Sequence, residues 1–233
     1  MRSMSEIQYK SSYPLSASVY WNQQWTTDGG RSDWIIPEAD VVKITSLLKQ
    51  HDCQNVLDLG CGIGRHAVFL AQKGFNVIAT DMSPNGIMYA RKLADKSGVT
   101  IDWLLSDMTV LPYADSAFDF VLAWNVIYHG NLEAMAKTIT EIYRILRPKG
   151  IFQATVLSKR NVNFRVGLEV ATDTWIKDSD DDKRHPHCYL NEKELVNVLV
   201  NSGFKLLSLR NVMHSKPGSY HWHLVAQKVK NNF

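Results

Sequence analysis

From residue 37 to about residue 157 the chain switches repeatedly between two hydrophobic periods. Behind Pro37, a residue suited to a helix's first turn, Val41, Ile44, Leu47 and Leu48 fall on one helical face. Residues 55–59 (NVLDL) form a short apolar run that reads as a buried strand. Ala67, Val68, Leu70 and Ala71 return to helical spacing, and Gly74 is a natural stop. The pattern then predicts a strand at 75–80, a helix at 86–97 closed by Gly98, and strands at 100–105 and 118–124. Leu132, Met135, Ile139, Ile142 and Leu146 mark an amphipathic helix ended by RPKG, before a strand at 151–157. Asn191 with Glu194 three residues later resembles a helix-starting box, with Leu195 and Leu199 facing inward. FKLLSLRNV and YHWHLVAQ then read as two strands joined by a turn at KPGS.

This rhythm predicts an α/β fold: a doubly wound, seven-stranded, mostly parallel sheet with helices on both faces. The closing hairpin adds one antiparallel strand. Residues 37–233 read as one domain, preceded by an aromatic-rich segment at 1–36. Composition changes the picture little. Hydrophobic residues make up 45% of 233, enough for a large core. The net charge of +3, from 26 basic and 23 acidic residues, gives no electrostatic case for nucleic acid or a membrane surface. No apolar run is long enough to span a bilayer, and the first residues lack a secretory pattern. Three cysteines, Cys53, Cys61 and Cys188, suggest a reducing compartment. The expectation is a soluble cytoplasmic protein of unspecified oligomeric state.

The chemistry concentrates where the first predicted strand meets its helix. Gly60, Gly62 and Gly64 allow a tight turn and close approach of a ligand to the backbone. Asp81 ends the second strand, where a carboxylate can accept hydrogen bonds from ribose hydroxyls. Both lie beyond the carboxyl ends of the strands, the ligand side of such a sheet, so together they read as nucleoside recognition. A dinucleotide fingerprint requires a third glycine where Arg65 stands. The pattern here is instead Asp58-x-Gly60-x-Gly62-x-Gly64. With Asp81 behind it, this resembles the class I S-adenosylmethionine-dependent methyltransferases, of the small-molecule methyltransferase-domain type. SDMTVLPYADSAFDFVLAWNVIYH (106–129) and EIYRILRPKGIF (141–152) are similar to that family too, over about residues 50–157.

The resemblance implies a Rossmann-like methyltransferase fold, S-adenosyl-L-methionine as cofactor, and methyl transfer by in-line displacement to a small-molecule acceptor. It implies that Gly60, Cys61 and Gly62 run along the cofactor's methionine and that Asp58 holds its ammonium group through water. Asp81 would bind the ribose diol, Met82 would pack on the adenine, and Asp107 would accept from the adenine amine beside the Met108 N–H. Ala123, Trp124 and Asn125 would line the pocket where the fourth strand ends. The N/D-P-P-Y-type motif of enzymes that methylate exocyclic amines of nucleic acid is absent; that place reads AWNVIYH. Nucleic-acid or protein methylation, and a non-catalytic cofactor-binding partner, stand as alternatives.

Catalytic residues are harder to name, because transfer from a sulfonium needs a base only when the nucleophile arrives protonated. Tyr128 and His129 follow the fourth strand, and His129 is the candidate base, with a wall-lining or capping role as the alternative. Arg65 is a candidate for an anionic substrate group, or a salt-bridged arginine. Tyr20, Trp21, Trp25 and Trp34 fit either a lid over the cofactor, Trp21 and Trp25 touching it, or a packing patch. In RHPHCY, His185, His187 and Cys188 are too crowded for ordinary metal-ligand spacing, so no metal is expected. That stretch is read as a loop facing the active site, with His187 and Tyr189 as substrate contacts. DSDDDKR (178–184) reads as a solvated loop, and His221 with His223 as a surface face of the hairpin.

Overall fold

The computed structural model describes residues 13–177, 182–214 and 216–229. Five parallel strands form its centre: β1 (Asn55–Leu59), β2 (Asn76–Asp81), β3 (Asp102–Leu105), β4 (Phe118–Ala123) and β5 (Leu146–Ser158). The C-terminal hairpin, β9 (Phe204–Met213) and β10 (Tyr220–Lys228), joins through β10, which runs antiparallel to β5 and β9. Seven of the sheet's ten strands run in the order β3-β2-β1-β4-β5-β10-β9 with β10 alone reversed among them, the mostly parallel arrangement with an antiparallel hairpin that the periodicity predicts, three strands short of the full sheet.

Alternation along the strands sends successive side chains to opposite layers. Val56, Phe120 and Leu122 meet the helices α3 (Ala39–Gln50), α4 (Arg65–Gln72) and α5 (Pro84–Ser97). Leu57, Leu59, Val121 and Ala123 meet α6 (Leu132–Ile145) and α7 (Glu192–Asn201) on the other face. Each helix begins where its sequence marks it. Ser83 Oγ accepts from Gly86 N–H at α5, Asn131 Oδ1 from Ala134 N–H at α6, and Asn191 with Glu194 closes a capping box at α7. Burying one such Leu, Ile or Phe contributes about 1.5–3 kcal/mol, so the two layers fix the sheet that carries the site.

Two regions depart from the sequence reading. Residues 13–34 are largely helical: α1 (Tyr13–Gln24), α2 (Asp28–Arg31) and a 3₁₀ turn at Ser32–Trp34. Three short strands, β6 (Leu168–Ala171), β7 (Thr174–Ile176) and β8 (His187–Leu190), extend the sheet beyond β5. The RHPHCY stretch is thus half strand, and all four residues of β8 are buried, so its sequence carries no alternation to read. Of the acidic 178–184 stretch, 178–181 lie outside the described residues. Asp182–Arg184 is a 3₁₀ turn whose Asp182 and Lys183 side chains are 27% and 14% exposed, not a solvated loop. His221 and His223 are also buried rather than on a surface face, because β10 is an interior strand covered on both sides.

Candidate active site

Beyond the ends of β1, β2 and β4 lies a cleft of about 890 Å³, mouth included. Its floor is the turn Gly60–Gly64. Gly60 sits at φ +68°, and a Cβ there would come within 2.3 Å of Val126 Cγ2, so any larger residue must displace Val126 on a strained backbone. Gly62 sits at φ +54°, and its missing side chain leaves room for the Trp25 ring, 3.1 Å from where a Cβ would stand. Gly64, also left-handed, is the N-cap of α4. The turn is held by Asp81: Gly62 N–H donates to its Oδ2 and Ser83 N–H to its Oδ1, each at 2.8 Å. Burial raises the Asp81 pKa against these hydrogen bonds. The carboxylate that the glycine pattern selects for a ribose thus also locks the glycine turn.

Asp58 lies beneath, 1% exposed, and its Oδ2 has no hydrogen-bond partner. Burial pushes its pKa up to about 7. A buried, half-unsatisfied carboxylate is a site for a cation with N–H donors. Three indole N–H groups at the cleft, those of Trp21, Trp25 and Trp124, are buried and equally without acceptors. One orphan acceptor and three orphan donors match a ligand carrying both an ammonium and several oxygen or nitrogen acceptors.

The roof comes from residues 17–34. Trp21 and Trp25 stack with centroids 5.0 Å apart, and Trp34 meets both edge-on. Asn22 ties this roof down: its Oδ1 accepts from Ser83 Oγ at 2.9 Å and Asn85 N–H at 3.0 Å. Arg65 holds the segment's other end, donating to Ile36 O and Glu38 Oε1 beneath the Trp34 ring. Its guanidinium is therefore engaged with the chain itself.

The far wall follows β4. Asn125 adopts φ +58°, stabilised by a reciprocal pair in which its N–H donates to Thr155 Oγ1 and that hydroxyl donates back to Oδ1. His129 closes the wall, its Nε2 3.0 Å from Asn125 O and its Nδ1 2.9 Å from His185 Nε2. Burial holds its pKa well below the ordinary imidazole range.

Of the sequence-selected residues, Trp21, Trp25, Gly60, Cys61, Gly62, Arg65, Asp81, Met82, Met108, Trp124, Asn125 and His129 line the cleft. Asp58, Gly64 and Ala123 support it from behind. Asp107 spends one oxygen on Thr109, and its neighbours Ser106 and Met108 face the space instead. Tyr128 and His187 are buried against His129, and Tyr189 is buried on β8 against Phe164. Sequence reasoning did not single out Ala17, Ser18, Leu59, Ile63, His66 and Val126, which also line the cleft. Only His66, next to the glycine turn, carried a readable signal.

A family model described as a methyltransferase domain matches residues 56–150, the span from β1 to the start of β5. The ubiquinone biosynthesis O-methyltransferase of Rickettsia felis is 27% identical over 207 residues, covering 86% of this chain and 82% of that protein. Residues 56–150 thus form a methyltransferase domain. The protein of the same name from Dinoroseobacter shibae is 28% identical over 181 residues, 76% of this chain and 70% of its own. Among solved structures, the 1,6-didemethyltoxoflavin-N1-methyltransferase of Burkholderia thailandensis shares the fold at TM-score 0.68 and 21% identity, over 93% of this chain and 91% of that one. The magnesium protoporphyrin IX methyltransferase of Synechocystis PCC 6803 does so at TM-score 0.64 and 17% identity, over 97% and 98%. The chemistry that the matched domain supports is S-adenosylmethionine-dependent methyl transfer. Among the described residues, no helix is long and apolar enough to cross a membrane.

Proposed function

We propose that the tryptophan-roofed cleft binds S-adenosylmethionine and that the methyl acceptor is a hydroxyl-bearing small molecule. The observation that carries the reading is the pairing of an orphaned Asp58 carboxylate with a glycine turn pinned by Asp81. Asp58 takes the ammonium of the methionine moiety, and the turn Gly60–Gly62 lies along that moiety. Asp81 keeps lone pairs for the ribose hydroxyls while still accepting from Gly62 and Ser83, since a carboxylate has about four acceptor sites. Met82 and Met108 flank the adenine, with Asp107 at its amine. The bound cofactor supplies an electrophilic methyl on a sulfonium.

Everything else falls to the chain. The roof helix excludes water as a lid, which strengthens electrostatic contacts inside. The aromatic faces of Trp21, Trp25 and Trp124 favour a sulfonium charge. The wall Trp124–His129 aligns the acceptor oxygen with the methyl; alignment of this kind supplies several kcal/mol. Oxygen as the acceptor atom follows the relatives named O-methyltransferases, which cover 82% and 70% of their own lengths here. The near-neutral charge of +3 fits neither nucleic acid nor membrane as partner, and three buried free thiols suit the cytoplasm.

The test is transfer of a labelled methyl group to a panel of phenols, alcohols, amines and thiols. The label should appear on oxygen. Label on nitrogen or sulfur alone would overturn the acceptor class. Absence of transfer to every member, with the cofactor bound, would overturn catalysis on small hydroxyl compounds.

A further inference from the structure

Seven of the eight histidines lie outside ordinary surface positions, and three of them converge. One ring nitrogen from each of His129, His185 and His187 lies within 4.8 Å of the other two, and all three residues are buried. They come from two separate segments that backbone hydrogen bonds hold together. Gly130 N–H donates to Pro186 O at 2.9 Å and Cys188 N–H to Tyr128 O at 3.0 Å. The crowding of His185, His187 and Cys188 argued against a metal on the sequence alone. In the fold the third imidazole is His129 instead, and Cys188 falls on the opposite side of its strand from His187.

The tautomers follow from the contacts. His129 Nε2 faces Asn125 O at 3.0 Å and His187 Nδ1 faces His185 O at 2.7 Å. A carbonyl only accepts, so both nitrogens carry the proton. Each ring therefore presents a lone pair from its other nitrogen, His129 Nδ1 and His187 Nε2. An imidazole N–H tied to a carbonyl with the opposite nitrogen bare is how metal-ligating histidines are oriented. His187 Nε2 has no hydrogen-bond partner and stands 3.5 Å from Asp182 Oδ2. A lone pair facing a carboxylate in a buried site is repulsive unless a cation or a proton lies between them. Lys183 Nζ also reaches that carboxylate, at 3.0 Å, and neutralises part of its charge. His185 Nε2 lies 2.9 Å from His129 Nδ1, and its own Nδ1 has no partner.

We propose that His129, His185 and His187 bind one divalent transition-metal ion of the zinc class, with Asp182 as the fourth ligand. Imidazole nitrogens and one carboxylate are a donor set that such ions accept at about 2.0–2.2 Å. Ligand nitrogens in a tetrahedral site stand about 3.4 Å apart, a closure reached from this arrangement by side-chain rotation. The ion would join the wall after β4 to the turn before β8, and so fix the acceptor end of the cleft. His129 then serves as a ligand and not as a proton acceptor. The proposal concerns ion binding and holds whether or not the cleft takes the acceptor assigned above.

The test uses the full chain without a histidine tag, stripped with chelator and then equilibrated with zinc chloride. About one equivalent of zinc should stay bound at micromolar free zinc, and cobalt in its place should show the intense visible bands of a tetrahedral site. His185→Ala and Asp182→Asn should each weaken zinc binding, His185→Ala by about a hundredfold and Asp182→Asn by about tenfold. Both should still bind S-adenosylhomocysteine in calorimetry, which shows that they fold and keeps this result separate from the cofactor reading. A wild-type chain that retains no zinc overturns the proposal. So does zinc retained undiminished by His185→Ala. Nitrogen-15 spectra showing a protonated His187 Nε2 in zinc-saturated protein would replace the ion with a proton and end it as well.

Discussion

Asp58 is a residue whose charge the protein must manage. Its pKa near 7, against an unfolded value of about 3.9, means the folded chain binds a proton that the unfolded chain has already lost between those pH values. Folded stability from this group is therefore full at low pH and falls as pH rises from about 4 to about 7. Asp58→Asn should abolish that part of the slope and stabilise the cofactor-free protein above pH 7, by as much as about 4 kcal/mol as an upper bound. Urea titrations of both proteins at pH 5 and pH 8 measure it, and parallel pH slopes would contradict the burial argument. Cofactor binding should ionise Asp58. Calorimetry at pH 6 in buffers of differing ionisation enthalpy should show proton release by the wild type and less by Asp58→Asn. Gly60→Ala makes a steric claim at the same scale. Its Cβ would meet Val126 Cγ2 at 2.3 Å on a left-handed backbone, so a loss of about 1–3 kcal/mol in unfolding free energy is expected. These two residues were legible because glycine and aspartate at strand ends carry specific chemistry. Asp107 keeps its second carboxylate oxygen clear of Thr109. Its hydrogen bonds to Thr109 form a local turn that leaves Ser106 and Met108 at the cleft.

Helix α1 shows what periodicity misses. Residues 17–24 place Tyr20, Trp21, Ser18 and Asn22 on several faces rather than one, so no apolar stripe marks the helix. Strand β8 fails for a related reason: four buried residues offer neither alternation nor length. The core elements were readable because each buries one face, as α6 does with Met135, Ile139 and Ile142. At this scale Asn22→Ala is the informative change. It removes the acceptor for Ser83 Oγ and Asn85 N–H, the contacts that pin α1 to the start of α5. Dissociation of S-adenosylhomocysteine should quicken about tenfold, with the unfolding free energy altered by less than about 1 kcal/mol. Stopped-flow tryptophan fluorescence reads the rate, and an unchanged rate would mean that the roof does not gate the cleft.

Over the whole molecule, the histidines set the response to acid. His66, His214 and His221 lie outside the three-histidine cluster, and burial lowers the pKa of each, His214 to about 4. A depressed imidazole pKa means that the unfolded chain binds the proton first as pH falls below about 6.5. Stability is thus full above that pH and declines below it, by up to about 1.4 kcal/mol per pH unit for each group, so that the three together outweigh the single opposing slope of Asp58. Circular dichroism should show unfolding in mild acid, and a protein with flat stability from pH 7 to pH 5 would contradict these assignments. The same sheet that buries them also brings the ends of β1, β2 and β4 to one edge, where the glycine turn meets its tryptophan roof. Titration of S-adenosylhomocysteine into wild type and Gly62→Val tests that arrangement most directly. Wild type should bind, and the valine, placed where Trp25 and the ligand's methionine end must pass, should weaken binding at least a hundredfold in a chain that still folds. Equal affinity in the two proteins, or no binding by wild type at millimolar ligand, would contradict it.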